Sequence, residues 1–353
     1  MTGITETPDM AIVLGDGCRL SARVWMPENA AAAPVPAILE YLPYRKRDGT
    51  VARDALTHPW FAARGYACLR VDMRGNGDSD GLMTDEYTAQ ELVDAVAVID
   101  WIAAQDWCSG TVGMMGISWG GFNALQVAAL APESLKAIIT LCSTDDRYAD
   151  DIHYKGGCLL NENLGWGATM LSYSSRPPDP EIVGPRWRQM WLERLEHEPF
   201  LPAVWLRHQH RDAYWQHGSV CEDFPAIRAA TLAVGGWGDA YRNAVPRLLA
   251  GLEAPAKGIT GPWVHKYPHF AVPEPRIGFL QEALHWWDRW LKDVPNGAEN
   301  LPAWRGYVMD SAPPRRWYTE RPGRWIAEAE WPSPAIACQT LHLHPDGALA
   351  PEG

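Results

Sequence analysis

Apolar and polar positions change their period along the chain, most clearly between Thr111 and Leu130. An apolar run typical of a buried strand leads into a glycine-rich turn, and the apolar residues that follow recur at helical spacing. Ser118 stands at the bend of this strand, turn and helix. The pattern therefore predicts a sharp turn that presents Ser118 at the end of a strand.

Strand-like and helix-like segments alternate over most of the chain. The predicted strands are 36–44, 66–74, 111–118, 136–143, 231–239 and 257–263, and the predicted helices include 55–64, 242–252 and 278–293. A β-hairpin is predicted over 11–26 about an Asp-Gly turn. Thr88 and Glu91 have the spacing of a capping box that begins a further helix. The alternation favours an α/β fold with a mostly parallel sheet, whose strand carboxyl ends hold the functional groups.

Two regions depart from this alternation. Residues 144–225 are rich in Trp, Tyr, His, Arg and Asp and predict a helical cap inserted over the strand ends. Residues 299–353 contain short strand-like pieces between proline and glycine, typical of an all-β module, but too few for a complete sandwich. The predicted domains are 1–143 and 226–298 as two parts of one α/β domain, 144–225 as the cap, and 299–353 as an incomplete module.

Composition excludes several classes of protein. The 353 residues are 47% hydrophobic and 21% charged, enough for a large buried core. We expect a cytoplasmic protein without a membrane partner, because no basic leader or long apolar span is present. A net charge of −12 argues against a nucleic-acid partner. The seven cysteines are odd in number and lack a CxxC pair, which supports neither a disulfide framework nor a zinc knuckle.

Other binding motifs are incomplete. The loop 75–81 follows a strand, but Asp80 replaces the last glycine of a dinucleotide fingerprint and no helix begins directly behind it. The same loop lacks the glutamate that closes a calcium loop. His208, His210, Asp212 and His217 resemble a metal cluster, yet they have no recognised ligand spacing. No metal and no cofactor are predicted.

The residues around Ser118 match the G-x-S-x-G pattern of a serine nucleophile on a strand-to-helix turn. Such an enzyme needs a carboxylate and then a histidine later in the chain. Asp239 follows one predicted strand and His265 follows the next, so both are expected at the same sheet edge. His269 is the rival base, whereas His285 lies inside a tryptophan-rich helix.

An oxyanion hole requires two hydrogen-bond donors aimed at the developing charge. The backbone N–H of Trp119, directly after the nucleophile, is expected to be one donor. The phenol of Tyr44, which ends a predicted strand, is the candidate for the second, with an amphipathic surface aromatic as the alternative.

With these residues identified, the chain resembles the CocE/NonD hydrolases, which include cocaine esterases and are related to X-Pro dipeptidyl-peptidases. The segments that carry the resemblance are LPYRK, DMRGNGDSDG, GISWGG, GGWGD and GPWVH. The resemblance implies an α/β-hydrolase domain with a helical cap, the Tyr44 hydroxyl and Trp119 N–H as oxyanion donors, and a C-terminal jelly-roll. Only the opening strands of that jelly-roll are expected here, so the module is predicted to be truncated.

The acyl group is less well defined. In relatives that hydrolyse α-amino acid esters, acidic residues are expected just after the catalytic aspartate, whereas Ala240, Tyr241 and Arg242 stand here. Cap carboxylates such as Asp151 and Glu162 are alternative ligands for an amine. Trp166 and Tyr241 are the candidates for an apolar substrate pocket.

The sequence therefore predicts a serine hydrolase of small-molecule esters or amides. Ser118 is the nucleophile, His265 the base and Asp239 its partner. The alternatives are an X-Pro dipeptidyl-peptidase and a non-catalytic binding protein on the same scaffold. The oligomeric state is open, with a homo-oligomer as one alternative.

Overall fold

A ten-stranded sheet runs through the protein, whose computed structural model describes residues 3–351. The strand order is β1-β2-β4-β3-β5-β6-β9-β10-β11-β12. These strands are β1 (Ile4–Val13), β2 (Arg19–Pro27), β3 (Val35–Leu42), β4 (Ala67–Asp72), β5 (Cys108–Ile117), β6 (Leu135–Leu141), β9 (Ala230–Gly236), β10 (Ala256–Gly261), β11 (Trp304–Met309) and β12 (Gly323–Glu328). Two small antiparallel pairs lie outside the sheet, β7 (Tyr154–Lys155) with β8 (Cys158–Leu159) and β13 (His342–Leu343) with β14 (Leu349–Ala350).

Eleven α-helices accompany the strands within residues 3–351. They are α1 (Val51–Ala55), α2 (His58–Ala62), α3 (Ala89–Ala103), α4 (Trp119–Ala129), α5 (Glu162–Ser174), α6 (Pro180–Val183), α7 (Trp187–His197), α8 (Leu201–Trp205), α9 (Ala213–Gln216), α10 (Ala244–Gly251) and α11 (Phe279–Leu291). Short 3₁₀ turns cover Gly184–Arg186, Val220–Glu222, Phe224–Ala226 and Ala298–Asn300.

The centre of the sheet is parallel and its edges are antiparallel. From β4 to β11 neighbouring strands pair in parallel, whereas β1–β2, β2–β4 and β11–β12 pair antiparallel. The predicted hairpin over 11–26 is confirmed as β1 and β2. The mixed sheet and the α/β class agree with the sequence prediction, and the parallel strands bring their carboxyl ends to one edge.

Helices cover both faces of the central strands. On β5, a Cβ at Gly113 would meet the Trp287 ring of α11 at 2.8 Å, and a Cβ at Gly116 would meet Gly120 of α4 at 2.5 Å. The two glycines face opposite sides of the sheet because they are an odd number of residues apart. Burial on both faces explains why these strands read as continuous apolar runs.

The structure differs from the expected helix over 55–64. Two short helices, α1 and α2, stand there instead, with Leu56 and Thr57 between them. Pro59 lies in the first turn of α2, where the missing N–H costs nothing. A proline inside one continuous helix would remove a hydrogen bond and clash with the preceding turn, so the helix restarts.

The segment predicted as a separate β module also differs. Its strands β11 and β12 are hydrogen-bonded into the central sheet, with β11 parallel to β10. The Trp304 indole donates to Thr260 Oγ1 at 3.0 Å, which fixes β11 against β10. Of the expected module, the described residues after Glu328 contain only the β13–β14 pair as strands, so the truncated jelly-roll stays a prediction.

The insertion between β6 and β9 contains α5 to α9 and no strand of the central sheet. Arg194 of α7 fastens it to the sheet edge by donating from Nη1 to Gly77 O at 2.9 Å. Arg147 donates to Tyr214 O and His217 O and holds the base of the insertion together. No helix within residues 3–351 is both long and apolar enough to cross a membrane.

Candidate active site

Ser118 occupies a strained turn between β5 and α4. Its backbone has φ 58° and ψ −127°, a conformation that costs free energy for a residue with a Cβ. The turn is so tight that a Cβ at Gly116 would lie 2.5 Å from Gly120, and one at Gly121 would lie 2.7 Å from Leu141 O. The surrounding glycines are therefore needed for the close approach that exposes the serine side chain.

Asp239 and His265 lie beyond the ends of β9 and β10. The His265 Nδ1 and Asp239 Oδ1 atoms are 2.9 Å apart, and the Asp239 side chain is 3% exposed whereas that of His265 is 41% exposed. Burial opposes ionisation of Asp239, but hydrogen bonds from His265, the Cys142 thiol and the Ala240 N–H lower its pKa overall. A carboxylate therefore faces the imidazole of His265.

Cys142 completes the surroundings of Asp239. It follows β6 directly with φ 47°. Its Sγ lies within 4.8 Å of a carboxylate oxygen of Asp239 and of a ring nitrogen of His265. Burial first, and the Asp239 charge next, raise the pKa of Cys142 well above its ordinary value, so the thiol keeps its proton. A protonated thiol can donate to the carboxylate.

The loop that carries His265 is anchored by a buried tyrosine. The Tyr267 hydroxyl donates to Glu40 Oε1 on β3 at 3.0 Å. The same carboxylate accepts from Arg53 Nη2 at 2.8 Å and lies 3.0 Å from His58 Nε2. This network ties the histidine loop to the centre of the sheet.

Tyr44 and Trp119 both lie against Ser118. Tyr44 and Ser118 line the same cavity, and burial raises the pKa of Tyr44 well above its ordinary value. The phenol therefore stays protonated and able to donate. Trp119 is the first residue of α4, so its backbone N–H has no partner within the helix. This N–H lies at the positive end of the helix dipole.

Two cavities flank Ser118. The larger cavity has a volume of about 830 Å³ and is lined by Ser118, Asp239 and His265. The smaller cavity has a volume of about 480 Å³ and is lined by Tyr44, Ser118 and His265. The two pocket residues predicted from the sequence differ in position. Trp166 lines both cavities, whereas Tyr241 lines only the larger.

His269, the rival base, has a different environment. Its ring stacks on Phe279 at 5.8 Å, both ring nitrogens lack a hydrogen-bond partner among residues 3–351, and it lines neither cavity. Burial lowers the pKa of His269 to about 4, so the ring is neutral near pH 7. This environment is that of a packed core histidine.

The motifs that resembled cofactor or metal sites have partners within the protein. His208 Nδ1 lies 2.7 Å from Asp212, and His217 Nε2 lies 2.6 Å from Tyr87 O. In the glycine-rich loop, Asp78 forms a buried ion pair with Lys46 at 2.9 Å. These groups join the cap, the loop and the sheet.

Several carboxylates within residues 144–225 are likewise paired. Arg247 Nη2 lies 2.6 Å from Asp145 and 2.8 Å from Asp150, and Arg211 Nη2 lies 3.2 Å from Asp146. The two cap acids that line the larger cavity are Asp151 and Glu162. Burial raises the pKa of Asp151 to about 6.

Known proteins resemble this chain over nearly its whole length. The sequence profile of the X-Pro dipeptidyl-peptidase (S15) family matches residues 16–267. The chain belongs to this family. Its members are serine hydrolases, and the resemblance to CocE/NonD hydrolases inferred from the sequence is confirmed.

Individual relatives of this S15-family chain are longer. Cocaine esterase of Rhodococcus sp. (strain MB1 Bresler) is 28% identical over 96% of this chain and 62% of its own length. A CocE/NonD family hydrolase of Staphylococcus aureus aligns with a TM-score of 0.78 at 18% identity, over 99% of this chain and 63% of its own. An aminopeptidase of the marine sediment archaeon Thaumarchaeota archaeon aligns with a TM-score of 0.72 at 19% identity, with the same coverage. This chain thus spans less than two thirds of each.

Sequence reasoning missed several residues around the candidate site. Cys142, Glu40 and Tyr267 contribute through contacts between distant parts of the chain. Cys142 could have been found, because it lies near the end of the predicted strand 136–143, whose neighbours supply Ser118 and Asp239. Glu40 and Tyr267 gave no such signal, since an acid in an apolar strand has no local motif.

Glu91 is a further residue whose contact the sequence did not indicate. It was predicted as the reciprocal member of a capping box, and Thr88 Oγ1 does accept from the Glu91 N–H at 3.2 Å. Its carboxylate instead accepts from the Trp119 indole at 2.6 Å. Glu91 thereby positions the ring of the residue that follows Ser118.

We expect Glu91 to make stability depend on pH. Burial raises its pKa from 4.5 to about 7, so the folded protein retains a proton that the unfolded chain releases above its ordinary pKa. The free energy of unfolding should therefore fall by about 3 kcal/mol as the pH rises through this window. Glu91→Gln should remove most of that fall, measured by urea unfolding at about pH 5 and about pH 8.

The exposed Glu133 provides a matched control. Glu133→Gln should leave the difference in unfolding free energy between the two pH values unchanged. An equally steep fall in the Glu91→Gln variant would contradict the assignment. Asp151, with a pKa of about 6, accounts for the residual slope.

Proposed function

We propose that the protein cleaves carboxylic ester bonds with Ser118 as nucleophile, His265 as base and Asp239 as the partner of the base. The observation that carries the proposal is the turn at Ser118, with φ 58°, beside a His265 ring whose Nδ1 lies 2.9 Å from the buried Asp239. All three side chains line one cavity. This combination presents a nucleophile, a base and a group that orients the base.

The proposed reaction has two steps. Ser118 Oγ attacks the ester carbonyl while His265 Nε2 takes its proton, and Asp239 stabilises the imidazolium. The tetrahedral intermediate collapses, His265 gives the proton to the leaving alkoxide, and an acyl-serine remains. Water then attacks the acyl-serine with His265 again as base, which releases the acid and restores Ser118. The chemistry requires no cofactor.

The proposed oxyanion hole consists of the Tyr44 hydroxyl and the Trp119 N–H. Trp119 directly follows Ser118, Tyr44 lines the smaller cavity together with Ser118, and the raised pKa of Tyr44 keeps its phenol protonated. The donors are fixed before the reaction, so stabilising the oxyanion costs no reorganisation. Glu91, which accepts from the Trp119 indole, supports the position of this donor.

Tyr44→Phe is expected to lower kcat by roughly 10²-fold to 10³-fold, with little change in KM. The reason is that the lost hydrogen bond is made mainly in the transition state. Steady-state kinetics with a p-nitrophenyl ester measure both constants. Tyr148→Phe is the control, since it loses only a hydrogen bond to Gln209 O within the cap. An unchanged kcat in Tyr44→Phe would remove the phenol from the oxyanion hole.

The cap and the last segment have proposed roles in the architecture. Residues 144–225 act as a cap because α5 supplies Trp166 and Thr169 to both cavities. Residues 299–353 are proposed as the opening of a jelly-roll-like module, supported by the separate β13–β14 pair. The substrate is then a small ester or amide enclosed between the sheet edge and α5.

An X-Pro dipeptidyl-peptidase is the second candidate. The family profile that matches residues 16–267 bears that description. Asp151 and Glu162 line the larger cavity, where carboxylates would meet the ammonium group of a peptide N-terminus. Cocaine esterase, at 28% identity, favours the ester instead.

A panel of substrates tests the proposal. Purified protein is assayed with neutral p-nitrophenyl esters and with dipeptidyl-proline p-nitroanilides. We expect the esters to have the higher kcat/KM. Faster cleavage of the proline amides would establish the peptidase instead. Failure of a fluorophosphonate to label the folded protein would favour a non-catalytic binding protein.

A further inference from the structure

The two cavities beside Ser118 differ in the charges that line them. The larger cavity has four carboxylate side chains in its wall, those of Glu86, Asp151, Glu162 and Asp239. The smaller cavity has none; its fully charged lining groups are Arg53 and Lys266, of which Lys266 also reaches the larger cavity. A substrate bound across Ser118 therefore meets carboxylates on one side only.

Arg53 offers a free donor to the smaller cavity. Its side chain is 19% exposed, and its Nη2 lies 2.8 Å from Glu40 and 3.2 Å from Asp54. Its Nε also donates to Asp54, whereas Nη1 makes no hydrogen bond within the described chain. A guanidinium fixed on two edges presents its remaining N–H groups in a defined direction.

The charges around Arg53 are balanced internally. Glu40 and Asp54 face Arg53, and Asp54 also lies 3.4 Å from Arg70 Nε. Two carboxylates and two guanidinium groups compensate one another, so Arg53 contributes a directed hydrogen bond more than a net charge. The net positive charge of the smaller cavity must come from another group.

Lys266 supplies that charge. It follows His265 directly, is exposed, and forms no ion pair within residues 3–351. An ammonium without a carboxylate partner at a cavity wall attracts anions over a distance of several ångströms. Lys266 lines both of the cavities that Ser118 lines, so this charge faces the space in which the ester binds.

We propose that the smaller cavity binds a carboxylate of the substrate, through Arg53 and Lys266. The preferred substrates are then esters that carry a free carboxylate near the scissile bond. The inference rests on the proposed ester hydrolysis and adds the chemical class of one substrate group. The aromatic rings of Tyr173 and Phe270 lie in the same wall and offer an apolar surface to the carbon atoms between the ester and the acid.

Two pairs of esters test the inference and identify the side of the ester that carries the acid. Mono-p-nitrophenyl adipate is compared with its amide-capped counterpart, and 3-butyryloxybenzoate with 3-butyryloxybenzamide. The first pair has the charge in the acyl group and the second in the leaving group. We expect roughly ten-fold higher kcat/KM for the acid in one pair, because a charge-assisted hydrogen bond stabilises a bound group by about this factor.

Variants connect the preference to the cavity. Lys266→Gln should reduce the ratio of acid to amide kcat/KM several-fold, and added salt should reduce the wild-type ratio because Lys266 is exposed. Arg53→Lys keeps the charge beside Glu40 and Asp54 but removes the planar set of guanidinium N–H donors. It should also reduce the ratio of acid to amide kcat/KM. Lys136→Gln removes an exposed charge whose Nζ bonds only to Glu133 O, and should leave the ratio unchanged.

The outcomes are distinct. A ratio near or below one in both pairs, with the amides turned over, would overturn the carboxylate subsite and leave the ester hydrolase intact. A preference that persists in Lys266→Gln and Arg53→Lys would place the anion elsewhere and overturn the assignment. Absence of turnover with all four esters would contradict the proposed function itself.

Discussion

Ser118→Ala is expected to lower kcat/KM for p-nitrophenyl esters by roughly 10³-fold to 10⁶-fold. The proposed reaction passes through an acyl group on Ser118 Oγ, and removal of that atom leaves only the oxyanion donors and substrate binding. Fluorophosphonate labelling should be lost in parallel, because the probe reacts with the same oxygen. Initial rates and mass spectrometry of the labelled protein measure the two effects.

The control for this prediction lies on β5, the strand that leads to Ser118. Ser109, near the start of β5, is exposed and bonds only to Thr111 at 3.1 Å, so Ser109→Ala should retain full activity and labelling. Ser118→Ala should also fold normally. Alanine and serine both have a Cβ, so the positive φ strains the backbone equally in both, and no core contact is lost. Full ester turnover by the folded Ser118→Ala variant would refute the assignment of Ser118 as the nucleophile.

The local pattern was sufficient for the elements that surround Ser118. The run that forms β5, the glycines of the turn and the helical spacing of α4 each predict the same conformation at successive residues. The structure of such a segment can be predicted from sequence because neighbouring residues favour the same local conformation. Asp239 and His265 followed from the rule that parallel strands end at one edge.

The last strands show what a sequence cannot fix by itself. Short strand-like pieces were expected within residues 299–353, and two strands, β11 and β12, do form there, but their partners are β10 and each other. Strand-like periodicity reports the conformation of a segment and which face is buried, whereas pairing depends on which sheet edge is free. Here β10 pairs with β9 on one side, which leaves its other side for β11.

Long-range polar contacts had no local signal either. Glu91 was predicted as a helix cap, yet its carboxylate accepts from Trp119, which lies on another helix. The charge difference between the two cavities likewise depends on side chains from α1, α5 and the loop after β10. Residues that shape the substrate site are therefore the least accessible to sequence reasoning.

The choice between two histidines four residues apart decides the base. His265→Ala is expected to lower kcat by roughly 10³-fold to 10⁶-fold, because no other group would take the proton from Ser118. His269→Ala should keep kcat within a few-fold, since its ring lines neither cavity. It should instead destabilise the fold by about 1–3 kcal/mol through loss of packing against Phe270 and Phe279.

Activity and stability measured on the same two variants separate the roles. Steady-state kinetics give kcat, and urea unfolding gives the free energy of unfolding. His265 is partly exposed, so its replacement should change stability little, whereas His269 is packed between aromatic rings. If His269→Ala abolished turnover while folded and His265→Ala did not, the base would be His269, and the ion pair between His265 and Asp239 would be structural.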